Sequence, residues 1–210
     1  MEFYRLRLSY VLEAEPSVFL TWRLHDSLPP SRGFPAEARN SGQAFAAADQ
    51  LLGEACAGPA YFREPAVADM IVDAIQFHGD ILGHYRLHAF VVMPNHVHLL
   101  ATPDVALSKL TKSLKGATAA WANAMLGLTD GPFWQEENYA RLVRYEGEFA
   151  EIRSYIEENP VRAGMVRDAS EYPWSSAAAD AIIPEGTPLR FTSIRSSRSG
   201  WNNSSTWQDE

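Results

Sequence analysis

Two histidines separated by one residue, His96 and His98, carry the most specific chemical signal in the chain. They lie in Phe90-Val91-Val92-Met93-Pro94-Asn95-His96-Val97-His98-Leu99-Leu100, which reads as strand, turn, strand. Alternate residues of a strand leave the same face. Both imidazoles therefore project together, while Val97 and Leu99 point the other way, into a core. Two adjacent imidazoles suit a divalent metal, since each offers a nitrogen lone pair, or a phosphate. A second constellation is Arg153-Ser154-Tyr155-Ile156-Glu157-Glu158-Asn159-Pro160-Val161-Arg162-Ala163-Gly164. Tyr155 and Asn159 are four apart, so a helix stacks them on one face. A phenol beside an amide offers a nucleophile next to a metal ligand. Each also has a plain structural reading. Tyr155 suits a half-buried amphipathic position. Asn159 before Pro160 is the signature of an N-cap, and on the residues alone that role outweighs ligation.

The elements that must position these groups follow from pattern and punctuation. Val18 to Leu24 reads as a first strand. Pro35 to Ala57 is rich in Ala, Glu and Gln and reads as a helix; Pro65 opens a second one through about Gly79. Tyr85 to Val92 and the His-x-His run form a hairpin across Pro94-Asn95. Leu107 to about Leu126 is a helix with the expected apolar stripe Leu110, Leu114, Ala117 and Trp121, ended by Gly127. Tyr139 to Arg144 is a final strand, and Glu148 to Glu158 a helix that Pro160 interrupts. A hairpin whose strands alternate with helices predicts an α+β, ferredoxin-like (RRM-like) antiparallel sheet with helices on one face. The N-terminal helical stretch, about residues 35–80, is an insertion on that frame. We expect a single domain over 1–183 and a disordered Ser/Arg/Trp-rich tail over 184–210.

Composition sets outer bounds. The hydrophobic fraction of 46% supports a core and disfavours global disorder. No stretch approaches the roughly 20 apolar residues of a membrane span, and the start lacks a secretory pattern. Cys56 is the single cysteine, so neither an intrachain disulfide nor a cysteine metal cage can form. A cytoplasmic protein without a membrane partner is the expectation. The net charge of -8 argues against nucleic acid, but its distribution does not. All three lysines, Lys109, Lys112 and Lys115, fall within seven residues of one helix. A solvated helix face is the usual meaning of such a run. Here no other lysine exists to be scattered, which favours a phosphate-binding face.

Met93-Pro94-Asn95-His96-Val97-His98-Leu99-Leu100, then Ser113-Leu114-Lys115-Gly116, Phe133-Trp134-Gln135, Tyr155 to Gly164, and Trp174-Ser175-Ser176 follow one another in a fixed order. With the early Arg23-Leu24-His25-Asp26-Ser27-Leu28-Pro29, this order resembles the REP-associated tyrosine transposases, single-tyrosine HUH nucleases that move DNA as single strands. The resemblance spans about residues 17–178 and is specific in combination. It implies a ferredoxin-like core and a divalent metal, Mg2+ or Mn2+, on His96, His98 and Asn159. It implies Tyr155 as the catalytic nucleophile, forming a 5′-phosphotyrosine. The implied partner is single-stranded DNA carrying a REP-like hairpin, handled by a monomer or homodimer. Lys109, Lys112, Lys115, Arg141, Arg144 and Arg162 would then hold the backbone, and Trp134 would stack exposed bases. The rival is a domesticated, non-catalytic nucleic-acid-binding module on the same core. A histidine-based nucleotide hydrolase is disfavoured, because a further alternate His is replaced by Leu100. The sequence names no general base for Tyr155.

Overall fold

A computed structural model describes residues 16–28, 49, 52, 58–129 and 131–178. Four strands form one antiparallel sheet. They are β1 (Val18–Arg23), β2 (Tyr85–Met93), β3 (His96–Pro103) and β4 (Tyr139–Leu142), in the spatial order β2-β3-β1-β4. That order, with helices joining β1 to β2 and β3 to β4, is the ferredoxin-like arrangement expected from the sequence. β1 and β3 are the central strands, which is why every residue of β1 is buried.

Alternation assigns each strand residue to a layer. Val18, Leu20, Trp22, Val97 and Leu99 join one core with α1 (Pro65–Gln76) and α2 (Leu107–Leu126), through Val67, Met70, Ile71, Leu110 and Leu114. Pro65 starts α1 where its missing N–H is not needed. Gly127 ends α2 at φ 66°, a left-handed conformation that costs a glycine nothing. The expected stripe on α2 is corrected in part. Leu110 and Leu114 are buried, but the next contacts are Thr118 and Ala122, while Trp121 is 39% exposed. Small residues at the closest approach let α2 sit tightly, and the larger ring is left at the margin.

The opposite face carries Phe19, Val91, Leu100 and Met93, and α3 (Glu146–Glu157) covers it with Ile152 and Ile156. The sheet thus has a second helical layer beyond the expected one. The segment Trp174–Ser176 closes the free edge of β2: Val92 N–H donates to Trp174 O at 2.8 Å and Ser176 N–H to Phe90 O at 2.9 Å. Covering that edge removes a row of unpaired backbone groups. Apart from Asp49 and Leu52, both helical, the expected Pro35–Ala57 helix lies outside the described residues, as does the 184–210 tail.

Candidate active site

The register of the central strands builds the floor of the site. Thr21 lies opposite His98 and Arg23 opposite His96 across the β1–β3 ladder. Opposed residues share a face, so Thr21 Oγ1 reaches His98 Nδ1 at 2.8 Å. The hairpin turn fixes the other ring. Asn95 Nδ2 donates to the Leu52 carbonyl at 3.1 Å, which leaves Asn95 Oδ1 facing His96 Nδ1 at 2.6 Å. An amide oxygen only accepts, so His96 Nδ1 carries the proton and Nε2 presents a lone pair. Both histidines are fully buried, with ring centroids 4.8 Å apart. Burial pushes the His96 pKa down to about 3, opposed by the charge of Asp49, so the ring is neutral at physiological pH.

Asp49 is the residue that sequence reasoning missed. It sits in an Ala-rich stretch with no local motif, yet its side chain is 5% exposed and lies at the centre of the cluster. Asp49 Oδ1 is 3.0 Å from His98 Nε2 and 3.4 Å from His96 Nε2. Its Oδ2 accepts the Tyr155 hydroxyl proton, and Asn159 Nδ2 donates to the same oxygen at 3.0 Å. Burial opposes its ionisation, but the electrostatic pull of His98, then of His96, and the Tyr155 hydroxyl hold the carboxyl below the usual range. The Tyr155 pKa is pushed well above its ordinary value, first by burial and then by the adjacent carboxylate. Arg162 lies over the Tyr155 ring, 4.8 Å from its centroid.

The structure therefore brings Tyr155, His96, His98 and Asn159 of one chain to a single carboxylate. α3 supplies Tyr155, and Asn159 follows at the start of α4 (Asn159–Arg162). Asn159 is not the N-cap that its Asn-Pro context implied. Glu158 occupies that position and Asn159 makes no cap bond; its amide turns into the cluster, with Nδ2 3.4 Å from His98 Nε2. Asp49, His96 and His98 form a group whose ligand atoms lie within 4.8 Å of one another, so the cluster could hold a metal ion. Two of those atoms, His96 Nε2 and Asp49 Oδ1, are buried without a hydrogen-bond partner. Two unsatisfied acceptors facing each other fit a cation between them.

Apart from Arg162, the expected DNA-binding residues do not gather at this cluster. α2 packs on the sheet face that carries Leu20 and Leu99, so its lysines lie on the layer opposite His96 and His98. Lys109 and Lys112 are exposed. Lys115 is instead committed within the fold: its ammonium donates to Gln135 O at 2.7 Å, Glu136 O at 3.1 Å and Asn138 Oδ1 at 2.8 Å. Trp134 is not a stacking platform. It is 6% exposed, packs edge-on against Trp22 and donates from Nε1 to Thr118 Oγ1 at 3.0 Å. Arg141 and Arg144 both pair with the buried Glu148 carboxylate near the start of α3, so they brace the helix that carries Tyr155.

The chain matches the IS200-like transposase family over residues 71–159, a segment that contains both histidines, Tyr155 and Asn159. It is 37% identical over 100 residues to the ISDra2 transposase TnpA of Deinococcus radiodurans, covering 43% of this chain and 69% of that protein. The protein belongs to the IS200-like transposases. This is a family of DNA-processing enzymes. The fold of this transposase is also that of a REP-associated tyrosine transposase solved with a REP hairpin. The TM-score is 0.51 at 20% identity, over 88% of this chain and 89% of the other. Asp49 lies outside the segment that matches the family. No helix among the described residues is long and apolar enough to cross a membrane.

Proposed function

We propose that the protein is a metal-dependent single-strand DNA endonuclease and strand transferase acting on hairpin-bearing DNA. The observation that carries this reading is the shared carboxylate. Tyr155 donates to one oxygen of Asp49 while His98 lies 3.0 Å from the other, so a nucleophile and a buried imidazole pair meet at one point. The family membership supplies the DNA chemistry, and the hairpin held by the structural relative indicates the substrate class.

Tyr155 is the nucleophile. Its oxygen attacks the phosphorus, the bond to the 3′ oxygen breaks, and the phenolic proton ends on that leaving oxygen. The products are a 5′-phosphotyrosine and a free 3′ hydroxyl. The phosphodiester energy stays in the tyrosine ester, so a second 3′ hydroxyl can rejoin the strand without ATP. Bound by His96, His98 and Asn159, a divalent ion, Mg2+ or Mn2+, would neutralise the phosphate charge and polarise the phosphorus. Thr21 and Asn95 hold the two rings in place through their Nδ1 atoms. Arg162, stacked on the nucleophile's ring, meets the phosphate chain beside it. Phe19 packs edge-on to Tyr155 and closes the site on the sheet side.

The test is a covalent adduct. Protein, Mn2+ and an end-labelled hairpin oligonucleotide should yield a labelled protein band that survives denaturing electrophoresis and is lost with EDTA. Binding without any adduct, over hairpins with varied flanking sequence, would support the non-catalytic module instead.

A further inference from the structure

Asp49 reaches the cluster from outside the matched family segment, and its two carboxylate oxygens face different partners. Oδ2 is occupied by the Tyr155 hydroxyl and the Asn159 amide. Oδ1 has no hydrogen bond and points between the two imidazoles. The lone pair of His96 Nε2 faces it, because Asn95 fixes the ring proton on Nδ1. His96 Nε2 and Asp49 Oδ1 are two buried acceptors 3.4 Å apart, an arrangement that a cation held between them relieves. The spacing agrees with an ion. Two ligands about 2.1 Å from one ion lie at most about 4.2 Å apart. The observed separations from Oδ1 are 3.0 and 3.4 Å.

Resting on the nuclease reading above, we propose that Asp49 is a bridging carboxylate: it ligates the ion through Oδ1 and holds the Tyr155 hydroxyl through Oδ2. Ion occupancy and nucleophile position are then one event. An ion that seats Oδ1 fixes the carboxylate plane and with it the direction of the Tyr155 oxygen. An anionic oxygen beside two imidazoles also moves the site toward the harder ions, Mn2+ and Mg2+. Asp49 acts on Tyr155 as a positioning residue; Asn159, bonded to the same oxygen, steadies the carboxylate.

Two readouts other than activity test this. Mn2+ affinity is measured by calorimetry on the full chain and on Asp49→Asn, Asp49→Ala, Asn159→Ala and the double variant His96→Ala/His98→Ala. The Tyr155 ring is followed by NMR with 13Cζ-labelled tyrosine, its signal assigned by its absence in Tyr155→Phe. Asp49→Asn should weaken Mn2+ binding at least tenfold, more than Asn159→Ala, and Mg2+ should shift the Tyr155 signal in the native chain but not in Asp49→Asn. Asp49→Ala removes both oxygens and serves if the amide variant does not fold. Native Mn2+ affinity in the Asp49 variants, with binding lost in the histidine double variant, overturns the bridge and leaves the nuclease reading standing. A Tyr155 signal that moves equally with Mg2+ in native and Asp49→Asn chains also overturns the bridge. No Mn2+ binding by the native chain overturns both.

Discussion

Replacing Tyr155 by Phe separates chemistry from architecture, because the structure states what the hydroxyl does. The ring is held by Phe19 edge-on at 6.3 Å, by the His98 ring at 6.0 Å and by Arg162 above it. Phe keeps those contacts. What is lost is one donor to the ionised Asp49 carboxylate, whose Oδ2 keeps the Asn159 amide at 3.0 Å. A hydrogen bond to a charged group contributes about 1.5–3 kcal/mol, and the surviving donor argues for the lower half of that range. A loss of about 2 kcal/mol corresponds to a fall in Tm of about 4–8 °C in a chain of this size. Calorimetry at neutral pH reads that change. In the adduct assay Tyr155→Phe should give no covalent product, with hairpin affinity within about threefold of native, a change under 1 kcal/mol. Two controls bracket it. Tyr139→Phe alters a ring that also meets Phe19, and Tyr145→Phe alters an exposed one; both should form adduct at the native rate. Adduct formed by Tyr155→Phe, or lost only in Tyr139→Phe, refutes the assignment.

The lysines divide into two kinds. Lys115→Met should cost about 1–3 kcal/mol of stability by leaving three acceptors of the 135–138 loop without their donor, and should leave the salt dependence of oligonucleotide binding unchanged. If Lys109 and Lys112 touch a single strand, replacing each by Gln flattens that salt dependence by up to about 0.7 in slope, with stability unaltered; an unchanged slope returns them to a solvated face. Acid should destabilise the fold early. Burial lowers the pKa of His96 to about 3, and of His78 and His88 in direction, so the unfolded chain binds these protons first. The stability they contribute is complete above the unfolded value of about 6.5 and is lost as pH falls from there toward 3, by up to about 1.4 kcal/mol per pH unit for a fully buried ring. Urea midpoints that stay flat between pH 7 and 5 would contradict this.

Local periodicity was enough to place much of this protein. A period of two sends His96 and His98 to one face and Val97 and Leu99 to the other, whatever they meet there. A spacing of four stacks Tyr155 and Asn159, and the order of strands and helices selects the sheet topology. Such rules say how a side chain leaves its own element. They do not say what waits on the far side. Asp49 joins a cluster whose other members are 47 to 110 residues away in sequence, and no pattern within an Ala-rich stretch marks it. Asn159 has the local chemistry of a cap, but a buried carboxylate is a stronger partner for its amide than a solvated helix end. Trp134 and Lys115 carry the side chains of a DNA-binding surface. The Trp22 ring and the Thr118 hydroxyl on one side, and three carbonyl-type oxygens turned toward one ammonium on the other, take both into the fold. The faces were written in the residue order. The partners were decided by tertiary packing, because the energy of a buried polar group depends on atoms that only the folded chain brings near.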